Sequence, residues 1–375
     1  MPGGHGLAFS PDLTLFVDLA VLGDRLRVRL REIKGKIAFA DIDAVLEPAP
    51  ARIEPPCPYV GRCGGCDFQQ MTYSAQLEAK VGIIRDCLHR IGKFDYEPKI
   101  PIIPSPREFQ YRLRAQWHID RARREIGYFR RDSRDLIAIE HCPILVPELD
   151  AVLQQLRSEI NWNSLRSDKG AVDAAVADDA GVSLRSVELD LDTRDIRQKI
   201  GDENYTFSAG SFFQANRFLI ESLLDAALLD VSGETALDLY SGVGLFTLPL
   251  ARRFKKVIAV EEFAPAVAYA RKNAVAARLS NIDIIEKPVG RFLADQRSTK
   301  IDFALLDPPR FGTEKKTVLD LIRLRPKNVS YVSCDPSVLA RDLRRFLDAG
   351  YNIDSITALD LFPQTHHVEA VVRMT

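Results

Sequence analysis

The sequence predicts an α/β protein in three parts: a doubly wound domain in the C-terminal half, a small all-β barrel at the N-terminus, and a mixed α+β unit between them. Three observations carry this. From about Thr206 onward, apolar strand-like runs alternate with helical stretches, the pattern of a parallel sheet covered on both faces. From Gly6 to about Pro48 the pattern is instead short alternating runs, among them Leu13-Thr14-Leu15-Phe16-Val17 and Leu26-Arg27-Val28-Arg29-Leu30, separated by turns at Gly23-Asp24 and Lys34-Gly35. A chain of 375 residues, 46% of them hydrophobic, suffices for two or three cores at about 100–200 residues per domain.

Beyond the barrel, Pro48, Pro50, Pro55 and Pro56 interrupt regular structure and mark a boundary. Leu77, Val81, Ile84, Leu88 and Ile91 then recur at spacings of four and three, one apolar face of a helix. Cys87 beside that stripe reads as a buried, inert thiol. Between Arg107 and Asp135, nine arginines against five acids are interleaved with Phe109, Tyr111, Trp117, Tyr128 and Phe129. Such a stretch suits a groove for single-stranded RNA, with arginines on phosphates and aromatics on bases. It equally suits a solvated hairpin whose arginines lie along its surface. The acid- and alanine-rich text from Asp168 to Asp195 has no catalytic spacing and reads as scaffold.

The formal net charge of −1 excludes nucleic-acid binding by bulk electrostatics, so any RNA contact must be a local basic patch. No apolar run approaches the ~18–20 residues of a spanning helix, and the opening Met1-Pro2-Gly3-Gly4-His5-Gly6 does not resemble a secretion signal. A cytoplasmic location with no membrane association is expected. Four of the six cysteines, Cys57, Cys63, Cys66 and Cys142, are too unevenly spaced for the disulfide framework of a small secreted domain, which leaves metal ligation or catalysis.

In the doubly wound half, the strand Ala236-Leu237-Asp238-Leu239-Tyr240 runs into Ser241-Gly242-Val243-Gly244 and a helix expected over 245–254. Gly242 and Gly244 let the backbone bend tightly and admit a ligand to the main chain, while the Asp238 carboxylate can meet a cationic or hydroxyl-bearing group. The next strand, expected over 256–260, ends in Glu261, placed for ribose hydroxyls. Position 247 is Thr, so G-x-G-x-x-G is incomplete, and S-adenosylmethionine fits better than a dinucleotide.

Two further strand ends reach the crevice where such folds bind ligands. They are Asp307-Pro308-Pro309-Arg310, after a strand over 301–306, and Ser333-Cys334-Asp335-Pro336, after one over 329–332. Cys334 precedes a helix expected over 337–347 whose start would stabilise a thiolate; it is a candidate nucleophile, or else a core cysteine. Glu369, on an apolar strand over 368–372, is either a carboxylate whose pKa burial raises toward proton transfer or a surface acid on an edge strand.

Leu237 to Gly244, Asp307-Pro308-Pro309-Arg310, Val332-Ser333-Cys334-Asp335-Pro336 and Thr365-His366-His367-Val368-Glu369, with Phe212-Phe213-Gln214-Ala215-Asn216 upstream, together resemble the RNA uracil-5 methyltransferase family over nearly the whole chain. The resemblance implies a Rossmann-like class I methyltransferase domain over 69–101 and 212–375. It also implies a TRAM-like (OB-like) RNA-binding barrel over 1–50 and a central iron–sulfur domain over 51–68 and 102–211. Gln214, Tyr240, Glu261 and Asp307 are implied to contact S-adenosylmethionine, with Asp238, Gly242 and Gly244 in the turn, while Cys334 is implied as nucleophile and Glu369 as base. The set Cys57-x5-Cys63-x2-Cys66 with Cys142 is similar to the four-iron four-sulfur ligands of the ribosomal-RNA branch; four thiolates by themselves suit zinc as well. The Cys-x3-Cys-x2-Cys of radical enzymes is not present, so a folding or RNA-positioning role is expected for the metal.

Carbon 5 of uracil is a poor nucleophile, so the implied chemistry begins with a thiolate adding to carbon 6. The target is expected in 23S ribosomal RNA; tRNA enzymes of the family share the same domain set. A non-catalytic zinc and RNA-binding protein is the rival from another class, which the presence of both Cys334 and Glu369 disfavours. DNA cytosine-5 methylation requires Pro-Cys, and Ser333 precedes Cys334. At Glu286-Lys287-Pro288 the chain departs from the family's usual adenine-side residue. A monomer is expected.

Overall fold

The computed structural model describes residues 3–179, 181–297 and 300–375. At the N-terminus β1 (Gly6–Phe9), β2 (Thr14–Val17), β3 (Arg25–Lys34) and β4 (Ile37–Glu47) form one sheet in the order β1-β2-β4-β3. Phe16 and Phe39 stack 5.5 Å apart on the parallel β2–β4 pair. Among the described residues β1 and β3 are the sheet's edges, so the expected barrel is here an open four-stranded sheet: β1, four residues long, pairs with β2 alone.

Helix α1 (Tyr73–Cys87) continues into one wide turn over Leu88–Gly92. Its buried face is Gln76, Lys80, Ile83, Ile84 and Cys87, turned from the expected stripe, and the wide turn leaves Ile91 42% exposed. The face is partly polar because of what it meets. Lys80 Nζ is paired with Asp360 and donates to the Phe362 carbonyl at 2.9 Å, and Tyr73 Oη donates to Asp360 at 2.7 Å. Cys87 is 1% exposed, as expected, and burial pushes its thiol up to about 12.

After β5 (Ile102–Ile103), the strands β6 (Arg114–Asp120), β7 (Glu125–Phe129) and β8 (Leu136–Ala138), helix α2 (Pro147–Glu159), and β9 (Lys169–Val176) and β10 (Val182–Ser186) build the central unit. Its antiparallel sheet has the order β10-β9-β6-β7-β8. Ala115, Trp117, Ile119, Val172 and Ala174 point into one core with Leu149, Leu153 and Leu156 of α2. A hairpin of β11 (Ile196–Ile200) and β12 (Glu203–Phe207) follows and packs on the C-terminal core.

The C-terminal half contains α3 (Ile220–Leu228), β13 (Gly233–Leu239), α4 (Thr247–Ala251), β14 (Phe254–Glu261), α5 (Ala264–Ala276), β15 (Ile282–Glu286), α6 (Val289–Asp295), β16 (Phe303–Leu306), α7 (Lys315–Leu324), β17 (Asn328–Ser333), α8 (Pro336–Asp348), β18 (Ile353–Leu359) and β19 (Glu369–Met374). The sheet order is β15-β14-β13-β16-β17-β19-β18-β5, parallel except for β19, which is antiparallel to both neighbours. One apolar core joins this sheet to α3, α4 and α5, the other to α1, α6, α7 and α8. The chain runs outward from β13 through β14 to β15, then returns to β16, so a switch-point crevice opens at the carboxyl ends of β13 and β16.

Two local expectations change. The helix after the glycine turn ends at Ala251, because Phe254 opens β14 and packs on Phe303 with ring centroids 5.9 Å apart. Glu369 lies on an interior strand, not an edge, since β19 sits between β17 and β18.

Candidate active site

The turn after β13 is left-handed at three of five residues, Tyr240 (φ 66°), Gly242 (φ 54°) and Gly244 (φ 96°). A Cβ on Gly242 would meet no atom within 4 Å, so conformation rather than crowding demands glycine there, and the space above the backbone is open. Asp238 is wholly buried; the Thr247 hydroxyl donates to one of its oxygens and the other has no partner. Burial pushes this carboxyl up to about 7, and the charge of Glu261 adds to the shift. The Ser241 hydroxyl, also buried, has no partner either. Unmet polar groups around an open cradle fit a polar, cationic ligand.

Glu261 braces that turn. One carboxylate oxygen accepts from Gly242 N at 3.0 Å, and the other accepts from Glu262 N and Phe263 N at 2.9 and 2.8 Å, ahead of α5. Tyr240 Oη is hydrogen-bonded to Thr313 on the loop after β16. Gln214 is 4% exposed and follows Phe213, whose ring stacks on Phe207 at 4.2 Å. Thr247, the residue that breaks the dinucleotide fingerprint, thus has its own task as partner of Asp238.

Cys334, half-buried at the end of β17, and Glu369, 3% exposed at the start of β19, come from adjacent strands. Burial pushes the Cys334 thiol up to about 12; Glu369, Asp307 and Asp335 add to this and Arg310 opposes it. The expected stabilisation of a thiolate by the helix start is therefore not seen. Asp335 already caps α8, its carboxylate accepting from Ser337 N at 2.8 Å and Val338 N at 3.2 Å, and so places a negative charge where the free N–H groups would be. Glu369 is raised well above the usual carboxylate range by burial and then by Asp307, with Arg310 pulling the other way. Asp307 is raised by burial and by Asp238. Arg310 thus acts on both Cys334 and Glu369. Sequence reasoning assigned it no role, although a charged residue in a Pro-Pro turn at a strand end was the signal.

The segment leading into β19 is stitched to the residues after Cys66. Asp67 N and Phe68 N donate to the Gln364 carbonyl at 3.1 and 3.0 Å, His366 N donates to Asp67 at 2.7 Å, and Gln76 exchanges two 3.0 Å bonds with Gln364. Burial, His366 and Arg310 together push His367 down to about 3, so it is neutral.

Cys57, Cys63, Cys66 and Cys142 line one cavity of about 180 Å³ with Tyr59, Gln69, Arg112 and Tyr128. The Gln69 amide is buried with no hydrogen-bond partner. Burial raises the thiols of Cys63 and Cys66, and that of Cys142 to about 11. Among the described residues no three His, Cys, Asp or Glu side chains stand close enough to hold a metal ion. No helix is long and apolar enough to cross a membrane, among the same residues.

The sheet order, the glycine turn and the switch-point crevice define a Rossmann-like methyltransferase fold. Residues 180–375 match the family model described as tRNA (Uracil-5-)-methyltransferase. An uncharacterized RNA methyltransferase of Streptomyces avermitilis is 34% identical, with 98% of this chain and 94% of that one covered. The 23S rRNA (uracil(1939)-C(5))-methyltransferase RlmD of Pectobacterium atrosepticum is 32% identical, covering 99% of this chain and 90% of the relative. The crystal structure of Pyrococcus abyssi tRNA (uracil-54, C5)-methyltransferase in complex with S-adenosyl-L-homocysteine superposes with a TM-score of 0.76 at 24% identity, over 100% of this chain and 98% of that one. The chain belongs to the RNA uracil-5 methyltransferase family.

Proposed function

We propose that this enzyme moves the methyl group of S-adenosylmethionine to carbon 5 of one uridine in 23S ribosomal RNA, through a covalent adduct on Cys334. The observation that carries the reading is the meeting of Cys334, Glu369, Asp307 and Arg310 at adjoining strand ends beside the glycine turn. Gln214, Asp238, Tyr240, Gly242, Gly244, Glu261 and Asp307 hold the cofactor, the unpaired oxygen of Asp238 and the open space over Gly242 being the features that suit it.

Burial raises the Cys334 thiol, so the attack includes loss of its proton to water as the sulfur bonds to carbon 6. The electron pair displaced to carbon 5 takes the methyl from the sulfonium. Glu369 removes the carbon-5 proton, the electrons of that C–H bond restore the ring's double bond, and the C–S bond breaks to release a thiolate that takes a proton back from water. A base buried with its pKa raised is matched to that proton. The uridine must leave its stack to lie between Cys334 and the methyl donor.

Cys57, Cys63, Cys66 and Cys142 would hold a four-iron four-sulfur cluster; that they line one cavity is what supports this reading. When bound, it would supply a structural anchor rather than redox chemistry. In this reading residues 1–50 are a TRAM-like RNA-binding unit, 51–68 and 102–211 the cluster domain, and 69–101 with 212–375 the methyltransferase domain. The enzyme works in the cytoplasm as a monomer. The name of the matching family model favours a second reading, a tRNA target. Nucleoside mass spectrometry after incubating protein and S-adenosylmethionine with separate pools of unmodified 23S rRNA and tRNA decides. New 5-methyluridine in the ribosomal pool alone upholds the first reading, in the tRNA pool alone the second. None in either overturns both.

A further inference from the structure

We infer that the uncovered face of the central sheet is a stacking surface for single-stranded RNA, built on the rings of His118 and Phe129 and continuous with the loop that carries Gln214. The inference rests on the RNA reading above and names where the strand beside the reacting nucleotide is held. His118 on β6 and Phe129 on β7 lie face to face, with centroids 3.7 Å apart and planes 15° from parallel. The residues directly across from His118 are Gly127 on one side and Ala171 on the other, so no tall side chain stands beside the ring in either cross-strand position. Alternation along β6 sends Ala115, Trp117 and Ile119 into the core under α2, which leaves His118 on the opposite face.

Two clefts share these rings. One, of about 450 Å³, is also lined by Lys169, Asp173, Arg185, Glu188 and Val187, the last 70% exposed. The other, of about 60 Å³, is lined by Asp120, Arg123, Arg134, Asp135 and Lys169. Among the described residues Lys169, Arg134 and Arg185 form no ion pair. Acids stand among these cations: Asp173 accepts from Gln116 at 2.8 Å, Asp120 from Arg123 N at 3.0 Å, and Glu188 from Ser167 at 3.2 Å. Unpaired cations beside flat rings match phosphates beside bases, and the stack requires bases that are not hidden in a duplex.

The surface leads to the active site. Arg114 Nη2 donates to the Ala209 carbonyl at 3.0 Å, and the Arg185 side chain lies over Gly210, where an added Cβ would meet Arg185 Cδ at 2.9 Å. Phe212, 68% exposed, and Gln214 follow directly.

The test uses the full chain and a fluorescein-labelled oligouridine of about twelve nucleotides, with anisotropy read over a salt series. Phe129→Leu should weaken binding about tenfold, and Phe129→Tyr should restore it. Lys169→Ala with Arg185→Ala should lower the salt slope by about 0.7 for each phosphate no longer neutralised. S-adenosylhomocysteine binding, measured by calorimetry, should be unchanged in every variant. Equal affinity of the parent and Phe129→Leu together with an unchanged salt slope in the double variant overturns the inference, as does failure of the parent to bind the oligonucleotide. A parent that binds in the expected way yet methylates neither RNA pool leaves this surface standing and removes the methyl-transfer reading alone.

Discussion

Along the N-terminal sheet, Arg25 and Arg27 meet Glu47 and Asp43 across the β3–β4 pair at 2.5 and 2.6 Å, on side chains that remain largely in water. In the crevice, Asp238 and Glu369 are buried with the half-buried Asp307 acting on Glu369, and Arg310 opposes it there. Both regions are dense in charge, yet their energetics differ in kind. The exposed pairs exchange hydration for one another and gain roughly 0–1 kcal/mol each. The buried carboxylates have lost hydration without full compensation, so their proton affinity rises, and a cationic ligand can relieve what the fold leaves unmet. Balanced surface charge governs solubility, whereas unbalanced buried charge marks the site.

The largest break in that comparison comes from the crevice. Cys334→Ala should abolish methylation while leaving the thermal transition unchanged. RNA containing 5-fluorouridine should give a covalent, gel-shifted adduct with the parent and none with the variant, because fluorine at carbon 5 cannot leave as a proton. Adduct formation by the variant would remove Cys334 as nucleophile.

A second test concerns a buried charge that is paired. Lys80 and Asp360 are each fully buried and bonded to one another. Lys80→Ala should cost about 3–5 kcal/mol in denaturant unfolding, since it strands the Asp360 carboxylate. Lys80→Met with Asp360→Leu should recover much of that loss. A loss below about 1 kcal/mol for the single change would place this pair with the surface ladder.

The third sharpens the sign. Asp238 is raised from the ordinary range to about 7 in the folded chain, so between its unfolded value and about 7 the folded state holds the extra proton. Stability therefore falls as pH rises through that window, by roughly 4 kcal/mol, and Asp238→Asn should flatten the slope. S-adenosylmethionine, which favours the ionised carboxylate, should raise Tm more at pH near 8 than near 5. A cofactor shift independent of pH would separate Asp238 from the ligand. At the other extreme, Arg27→Ala should change stability by no more than about 0.5 kcal/mol, an effect that salt should erase.

Much of the site was legible because its cues are local. A glycine turn between two strands, Asp-Pro-Pro-Arg and Ser-Cys-Asp-Pro at strand ends, and an apolar run ending in a carboxylate are readable within a dozen residues. The structure gathers them as the alternation of strands and helices requires. The polar face of α1 was not legible, since the spacing of Leu77, Val81 and Ile84 carries no sign that Lys80 would turn inward. Nor was the raised thiol of Cys334: a helix start looks favourable until the capping side chain of Asp335 is placed.

Periodicity, glycine positions and turn chemistry by themselves predicted the doubly wound half and its glycine turn, because backbone preferences and side-chain alternation act between near neighbours; Cys334 stood out as a nucleophile only through the family resemblance. Only the tertiary structure decided that β19 inserts between β17 and β18 and so buries Glu369 beside Cys334. The same holds for the partner of Lys80, 280 residues away, and for the gathering of four cysteines around one cavity. Desolvation is the reason: a group's proton affinity depends on everything packed around it, and those neighbours arrive from parts of the chain that local pattern does not connect.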